Sequence, residues 1–213
     1  METLEQKIAK RLLQINAIKF NPANPYQWTS GWNSPIYCDN RKILSYPDLR
    51  SQVRDGFVQL INEYYSKPDV IAGVATGSIA IAALTAEKLE LPFVYVRSSP
   101  KKHGLKNLIE GVIKPNQKVV VIEDLISTGM SSLNAVKALR EQDIKIMGMG
   151  AIFSYNFDIA TKNFDEYNCP LKTLTNYNNL IRTAVAEGYI KESDLAELEQ
   201  WRKDPANWKK EKK

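Results

Sequence analysis

Apolar residues along this chain switch repeatedly between two spacings, and the switches mark out alternating helices and strands. In residues 2–17, Leu4, Ile8, Leu12, Leu13 and Ile15 recur at helical spacing with Glu and Lys between them, which predicts an amphipathic helix at the edge of the core. Residues 48–65 repeat the pattern through Val53, Phe57, Leu60 and Ile61. Residues 69–73 then read as a buried strand, 74–78 as a Gly/Thr turn and 79–89 as an alanine-rich helix; 92–97 is the next strand. Val119 to Ile122 are apolar without alternation, which suits a strand buried on both faces of a parallel sheet. Leu133, Val136 and Leu139 return to helical spacing. A strand over 144–153, an irregular stretch over 154–158 and helical segments at about 177–187 and 192–202 complete the pattern. Strands separated by helices predict an α/β fold with a parallel sheet, binding its ligand at the carboxyl ends of the strands.

Two stretches break this rhythm. Residues 20–41 are dense in Pro, Gly and aromatic residues, so they pack as a loop or small ribbon rather than a helix. Residues 98–111 form a hydrophilic loop longer than a strand-to-helix connection requires, carrying Lys101, Lys102, His103 and Gly104. Such a basic run is commonly a solvated surface. With Arg97 at the preceding strand end, Lys101 and His103 could instead surround a pyrophosphate once the loop closes.

The chemistry concentrates between Lys118 and Ser132. After the apolar run come two adjacent carboxylates, Glu123 and Asp124, and then a Ser127-Thr128-Gly129 turn that opens a helix. The backbone N–H groups of Thr128 to Ser132 lack intrahelical partners and sit in the positive potential of the helix start, which makes a phosphate cradle. No P-loop pattern is present, and Gly148-Met149-Gly150 lacks the third glycine of the dinucleotide fingerprint. Carboxylates beside a phosphate loop repel a bare phosphate. A ribose 5-phosphate resolves the conflict, with its phosphate on the amides and its 2′ and 3′ hydroxyls donating to the acids.

Composition narrows the rest. With 213 residues and 44% hydrophobic content, the chain suits one domain over 1–213. No apolar stretch reaches membrane-spanning length and the first residues are mixed in charge, so a soluble cytoplasmic protein with no membrane partner is expected. The single histidine, His103, and two distant cysteines, Cys38 and Cys169, exclude the common His- and Cys-rich metal sites. A net charge of +5 with interspersed signs favours anionic small molecules over nucleic acid.

The run from Val119 to Gly129 resembles the phosphoribosyl pyrophosphate motif of the type I phosphoribosyltransferases. Two further patterns resemble the orotate members of that family. Ser30-Gly31-x-x-Ser34-Pro35-Ile36-Tyr37-x-Asp39-Asn40-Arg41 is similar to their N-terminal hood, and Arg97-x-x-x-Lys101-x-His103-Gly104 to their mobile catalytic loop. The resemblance implies a type I fold with a central, mostly parallel sheet flanked by helices and a hood over about 18–45; it ends at Arg202, and the residues beyond, about 203–213, read as a frayed basic tail that Trp208 could anchor. It implies transfer of ribose 5-phosphate from phosphoribosyl pyrophosphate to orotate. Lys101, His103 and Asp124 are then catalytic. Phosphoribosyl pyrophosphate is bound by Arg97, Lys101, Lys102, His103, Glu123, Asp124, Leu125, Ile126, Ser127, Thr128, Gly129, Met130 and Ser131. Ala75, Thr76 and Gly77 form the pyrophosphate loop, and Ile36, Tyr37, Arg41 and Ser127 flank the orotate. The implied cofactor is Mg2+, held mainly by substrate and water rather than by protein side chains, and the implied assembly is a homodimer that shares its catalytic loop. Three positions depart from the family: Thr29 and Ser98 stand where some members have lysine, and Met130 where glycine is common. Another base as substrate, or a regulator that senses phosphoribosyl pyrophosphate and binds nucleic acid, are the alternatives.

Overall fold

A computed structural model describes residues 2–28, 30–99 and 108–209. In chain order, α1 (Leu4–Gln14) leads into four short strands, β1 (Ile18–Phe20), β2 (Tyr26–Gln27), β3 (Asn33–Ser34) and β4 (Ile36–Cys38), and a 3-10 turn at Asn40–Ser45. Then follow α2 (Pro47–Tyr64), β5 (Val70–Val74), α3 (Ile79–Leu89), β6 (Phe93–Val96), β7 (Ile109–Glu110) and β8 (Lys118–Ile126). The chain continues through α4 (Met130–Arg140), β9 (Lys145–Ser154), α5 (Asp158–Glu166), β10 (Leu171–Asn176), α6 (Tyr177–Ala186) and α7 (Leu195–Lys203). Among the described residues no helix is long and apolar enough to cross a membrane.

Strands β5 to β10 form one six-stranded sheet in the order β10-β9-β8-β5-β6-β7, parallel except for β7. The central strands are apolar on both faces because both are covered. Val120 and Ile122 enter one core with α1, α2 and the C-terminal helices, while Val119 and Val121 enter the other with Leu133, Val136 and Leu139 of α4. That alternation within an unbroken apolar run is what a doubly covered parallel strand requires.

Three elements differ from the sequence expectations. Strand β8 does not stop at Ile122 but runs to Ile126, pairing Glu123 with Ala151 and Leu125 with Phe153 of β9. The two acids are therefore part of a hydrogen-bonded strand and not of a turn. Helix α5 and strand β10 fill a region to which the periodicity gave no element. Helix α5 buries only Ala160 and Phe164, and β10 is an edge strand of mixed burial, so neither carries a strong apolar repeat. The end of the 98–111 loop returns as β7, antiparallel to β6, with the Arg97 N–H donating to the Leu108 carbonyl at 2.8 Å.

The hood is two small antiparallel ribbons, β1 with β4 and β2 with β3. Such short ribbons have little stability alone, and here they are anchored by aromatic rings. Trp28 packs on Tyr155 (5.0 Å between centroids) and edge-on against Trp201 (5.9 Å), and Tyr155 stacks on Phe157 at 5.4 Å. The Trp201 indole N–H donates to the Asn33 carbonyl at 3.1 Å. The basic tail is not frayed but anchored as far as Lys209, with Trp208 in the anchoring place its sequence suggested. Trp208 is buried, Asn33 donates to the Lys209 carbonyl at 2.7 Å, and the Lys209 ammonium donates to the Pro22 carbonyl at 2.8 Å. Trp201 is fully buried at the centre of this cluster. Trp201→Ala is expected to cost about 3–5 kcal/mol of folding stability, read as a lower midpoint in denaturant unfolding.

Candidate active site

The carboxyl end of β5 lies beside the middle of β8, Gly73 opposite Ile122, so the loop after β5 meets the last residues of β8. Ser78, buried after the first loop, donates its hydroxyl to both the Val74 and the Ile122 carbonyls, at 2.7 and 2.8 Å. One side chain thus ties the β5 loop to β8. Gly77 lies so near Asp124 that a Cβ added there would overlap the Asp124 carboxylate. The Ala75–Thr76 peptide in this loop is cis.

Together these elements open a cleft of about 460 Å³, lined by Cys38, Asp39 and Arg41 from the hood, Ala75 to Gly77, Glu123 to Leu125, and Ser131 and Ser132. A larger cavity, about 590 Å³ between α5 and β10, shares no lining residue with it and contains neither acid of the β8 motif.

The two acids face different surroundings. Glu123 is buried, its carboxylate accepting from the Ser132 hydroxyl and from the Asp124 backbone N–H, both at 2.8 Å. Burial first, and the neighbouring Asp124 charge second, push the Glu123 carboxyl well above the usual carboxylate range. Asp124 is half-exposed on the cleft wall, and its carbonyl accepts from the Asn40 side-chain amide at 2.7 Å. Cys38, also on the wall, is raised by burial and by the Asp124 and Asp39 charges; its S–H donates to the Asn40 Oδ1 at 3.4 Å. The Arg41 guanidinium binds Asp39 through Nε at 2.7 Å and holds that carboxyl below its ordinary value.

The phosphate loop has the form expected of an anion cradle. Among the described residues, no protein group accepts from the N–H groups of Thr128 to Ser132, whereas the next amide, Leu133, donates to the Gly129 carbonyl at 2.9 Å. Positive φ falls on Gly129 (+80°), and Met130 begins α4 with its side chain 39% exposed. A side chain at Met130 therefore meets no backbone restriction, and the departure from glycine is accommodated.

Other expected site residues lie elsewhere. Ile36 is fully buried in the core and does not line the cleft; Tyr37, facing the opposite way on β4, is 39% exposed beside Tyr26. Ile126 is likewise a core side chain, and Leu125 is half-buried against the core at the cleft edge. Ala75 does not offer its amide as expected, because that N–H donates to the Val96 carbonyl at 2.8 Å in the sheet. Thr76 and Gly77 keep the remaining loop amides. Arg97 pairs with Glu110 at 3.4 Å. Lys101, Lys102, His103 and Thr29 lie outside the described residues. The sequence reading missed Asn40, Ser78 and Ser132. Ser132 alone left a signal, a second hydroxyl in the first helical turn after the acids.

A family model for the phosphoribosyl transferase domain matches residues 40–187, the stretch that holds both loops and the acidic strand end. The chain belongs to the phosphoribosyltransferase family. It is similar over 208 residues, 98% of each chain, to the orotate phosphoribosyltransferases of Bacteroides fragilis (55% identical) and Phocaeicola vulgatus (56%). The enzyme of that name from Bacillus caldolyticus is 50% identical over 205 residues, 96% of this chain and 99% of the other. Among solved structures, the Aeropyrum pernix orotate phosphoribosyltransferase superposes with a TM-score of 0.71 at 23% identity, covering 85% of this chain and 99% of that one. Leishmania donovani UMP synthase gives 0.79 at 23% identity over 94% of this chain, which spans 42% of that longer protein. At such identities the structures speak for the shared phosphoribosyltransferase fold alone.

A buried acid with a raised pKa binds its proton more tightly in the folded than in the unfolded phosphoribosyltransferase. Its contribution is therefore favourable at low pH and is lost as pH rises from the ordinary carboxylate value through the raised one. Glu123→Gln removes that titration while keeping the side-chain shape. The ligand-free variant is expected to gain stability over the parent as pH rises from 5 to 8, measured by urea unfolding across that range.

Proposed function

We propose that this phosphoribosyltransferase transfers ribose 5-phosphate from 5-phosphoribosyl 1-pyrophosphate to N1 of orotate, giving orotidine 5′-monophosphate and pyrophosphate. The observation that carries the reading is one cleft in which a carboxylate, a row of unpaired amides and a second glycine loop converge beneath an aromatic hood. Close relatives named for this reaction support it along nearly the whole chain.

The Thr128 to Ser131 amides hold the 5-phosphate at the start of α4, where the helix dipole adds to their partial charges. Asp124 accepts the ribose hydroxyls. Glu123 stiffens the strand end from behind, through Ser132 and the Asp124 N–H. With the phosphate and ribose fixed, C1′ faces the hood side, where Ser127 and Arg41 approach the base. The bond from C1′ to the pyrophosphate oxygen breaks as the bond from orotate N1 forms; the bonding pair leaves with the pyrophosphate, and the proton released from N1 passes to the pyrophosphate. Positive charge gathers on C1′ and the ring oxygen, and the Asp124 carboxylate stabilises it at short range. The departing pyrophosphate receives the Thr76 and Gly77 amides, Arg97 and, from the loop that follows Arg97, Lys101 and His103. Positioning and fixed charge supply the acceleration; no covalent enzyme intermediate is needed.

The donor groups on the cleft wall fit a magnesium cofactor. Of the carboxylates there, Asp124 faces the cavity beside the Ser131 hydroxyl, oxygen ligands of the kind a hard divalent cation prefers, and the ion would be held mainly by substrate oxygens and water. Magnesium, when bound, would neutralise charge on the pyrophosphate and so favour its departure. The protein acts in the cytoplasm as a homodimer, in which Lys101 and His103 of one subunit complete the site of the other.

The assay is loss of orotate ultraviolet absorbance with phosphoribosyl pyrophosphate and magnesium, run beside uracil and adenine. Consumption of orotate alone is expected; consumption of adenine or uracil in its place refutes the assignment. Lys101→Ala is expected to lower kcat much more than it raises either KM, and equal changes in both would remove Lys101 from transition-state stabilisation.

A further inference from the structure

Helix α5 touches the phosphate loop at two points that no motif covers. The Asn163 side-chain amide donates to the Thr128 carbonyl at 2.8 Å, between residues 35 positions apart. Next to it, the buried Phe164 ring lies against Gly129, so near that a Cβ on Gly129 would come within 2.5 Å of Phe164 Cε2.

Both contacts act on one peptide unit. The Thr128 carbonyl and the Gly129 N–H belong to the same plane and point in opposite directions across a trans bond. A donor from α5 that captures the carbonyl therefore turns the Gly129 N–H away from α5, toward the side where the loop amides stand without protein acceptors. Left unheld, this peptide has a soft alternative, since a residue with φ of +80° at glycine can exchange by a peptide flip with little steric cost. A flip would place the Thr128 carbonyl, an acceptor, against the anion.

We propose that Asn163 is a positioning residue of the phosphate site: its amide fixes the Thr128–Gly129 peptide with the N–H toward the 5-phosphate, and Phe164 closes the space behind Gly129. The proposal rests on the phosphoribosyltransferase reading and extends it to a helix outside the motif. The packing of Phe164 also explains why glycine is required at 129 on two grounds, its φ and the ring behind it.

The test uses the full chain with Asn163→Leu, which keeps size without a donor, and Asn163→Ala. Losing one orienting hydrogen bond to an anion site is expected to raise the KM for phosphoribosyl pyrophosphate and the Kd for ribose 5-phosphate about tenfold. The orotate KM should stay within about twofold, since Asn163 does not line the cleft that the hood residues Cys38, Asp39 and Arg41 enter. In amide NMR, the Gly129 resonance should shift in the ligand-free variants and lose its further shift on adding ribose 5-phosphate. Parent-like ribose 5-phosphate affinity in both variants overturns the role of Asn163, as does an equal rise of both KM values in the pair. If the parent binds ribose 5-phosphate but consumes no orotate, the substrate assignment falls while the Asn163 test still reads out on ribose 5-phosphate alone.

Discussion

The loop after β5 and strand β8 meet where Gly77 lies against the carboxylate of Asp124, 47 positions further along the chain. No residue with a side chain fits between them, so the cleft exists because the loop contributes bare backbone and the strand a carboxylate. The Ser78 hydroxyl fixes that approach by bridging the Val74 and Ile122 carbonyls from within the core. A buried hydroxyl that serves both carbonyls has its own polarity satisfied while it links the end of β5 to β8. The parallel pairing of β5 with β8 sets the register, and Ser78 carries that register beyond the sheet into the loops.

The cleft is acidic on a chain with a net charge of +5, and the arrangement of its acids explains how it tolerates an anion. Glu123 turns inward, where burial and Asp124 favour its neutral form. Asp39 is held by Arg41. The Cys38 thiol is kept protonated by burial and by both aspartates. Asp124 is thus the acid left facing the cavity among these groups, beside loop amides that make the opposite wall electropositive. Such a division lets one site bind phosphate and yet present negative charge to a developing cation a few ångströms away.

The parts of this fold legible in the sequence are those with dense, regular signals. Val119 to Ile122 announced a doubly covered strand, and Leu133, Val136 and Leu139 gave the helix that follows it, because both elements bury complete faces. The acids and the Ser-Thr-Gly turn could be placed at a strand end from spacing alone, although the strand proved four residues longer. Hydrogen bonding to β9 continues under polar side chains, and polarity was what had suggested a turn. Helix α5 was invisible because it buries two side chains in nine residues. Its contribution to the site, Asn163 on a backbone carbonyl, has no sequence pattern at all. The same holds for Asn40, whose amide reaches Asp124 across 84 positions. Ile36 failed for a related reason: strand alternation sends it inward and Tyr37 outward, and the motif match carried no information about which side faced the ligand.

The hood's attachment follows from the same contacts. Its ribbons make few hydrogen bonds of their own, and two anchors supply the rest. On one side Trp28 enters the cluster of Tyr155 and Phe157, which follow directly from the end of β9, and Trp201 of α7. On the other, Asn40 joins the hood's last residues to the Asp124 carbonyl. In the proposed reaction, a base beneath the hood and a ribose at Asp124 would consequently be held by parts that share one support. Relative motion of the two would have to break either a buried aromatic cluster or the part-buried hydrogen bond from the Asn40 amide. For a displacement in which N1 must lie in line with the leaving oxygen, that stiffness is a catalytic property, since misalignment of about 1 Å between reacting groups costs orders of magnitude in rate.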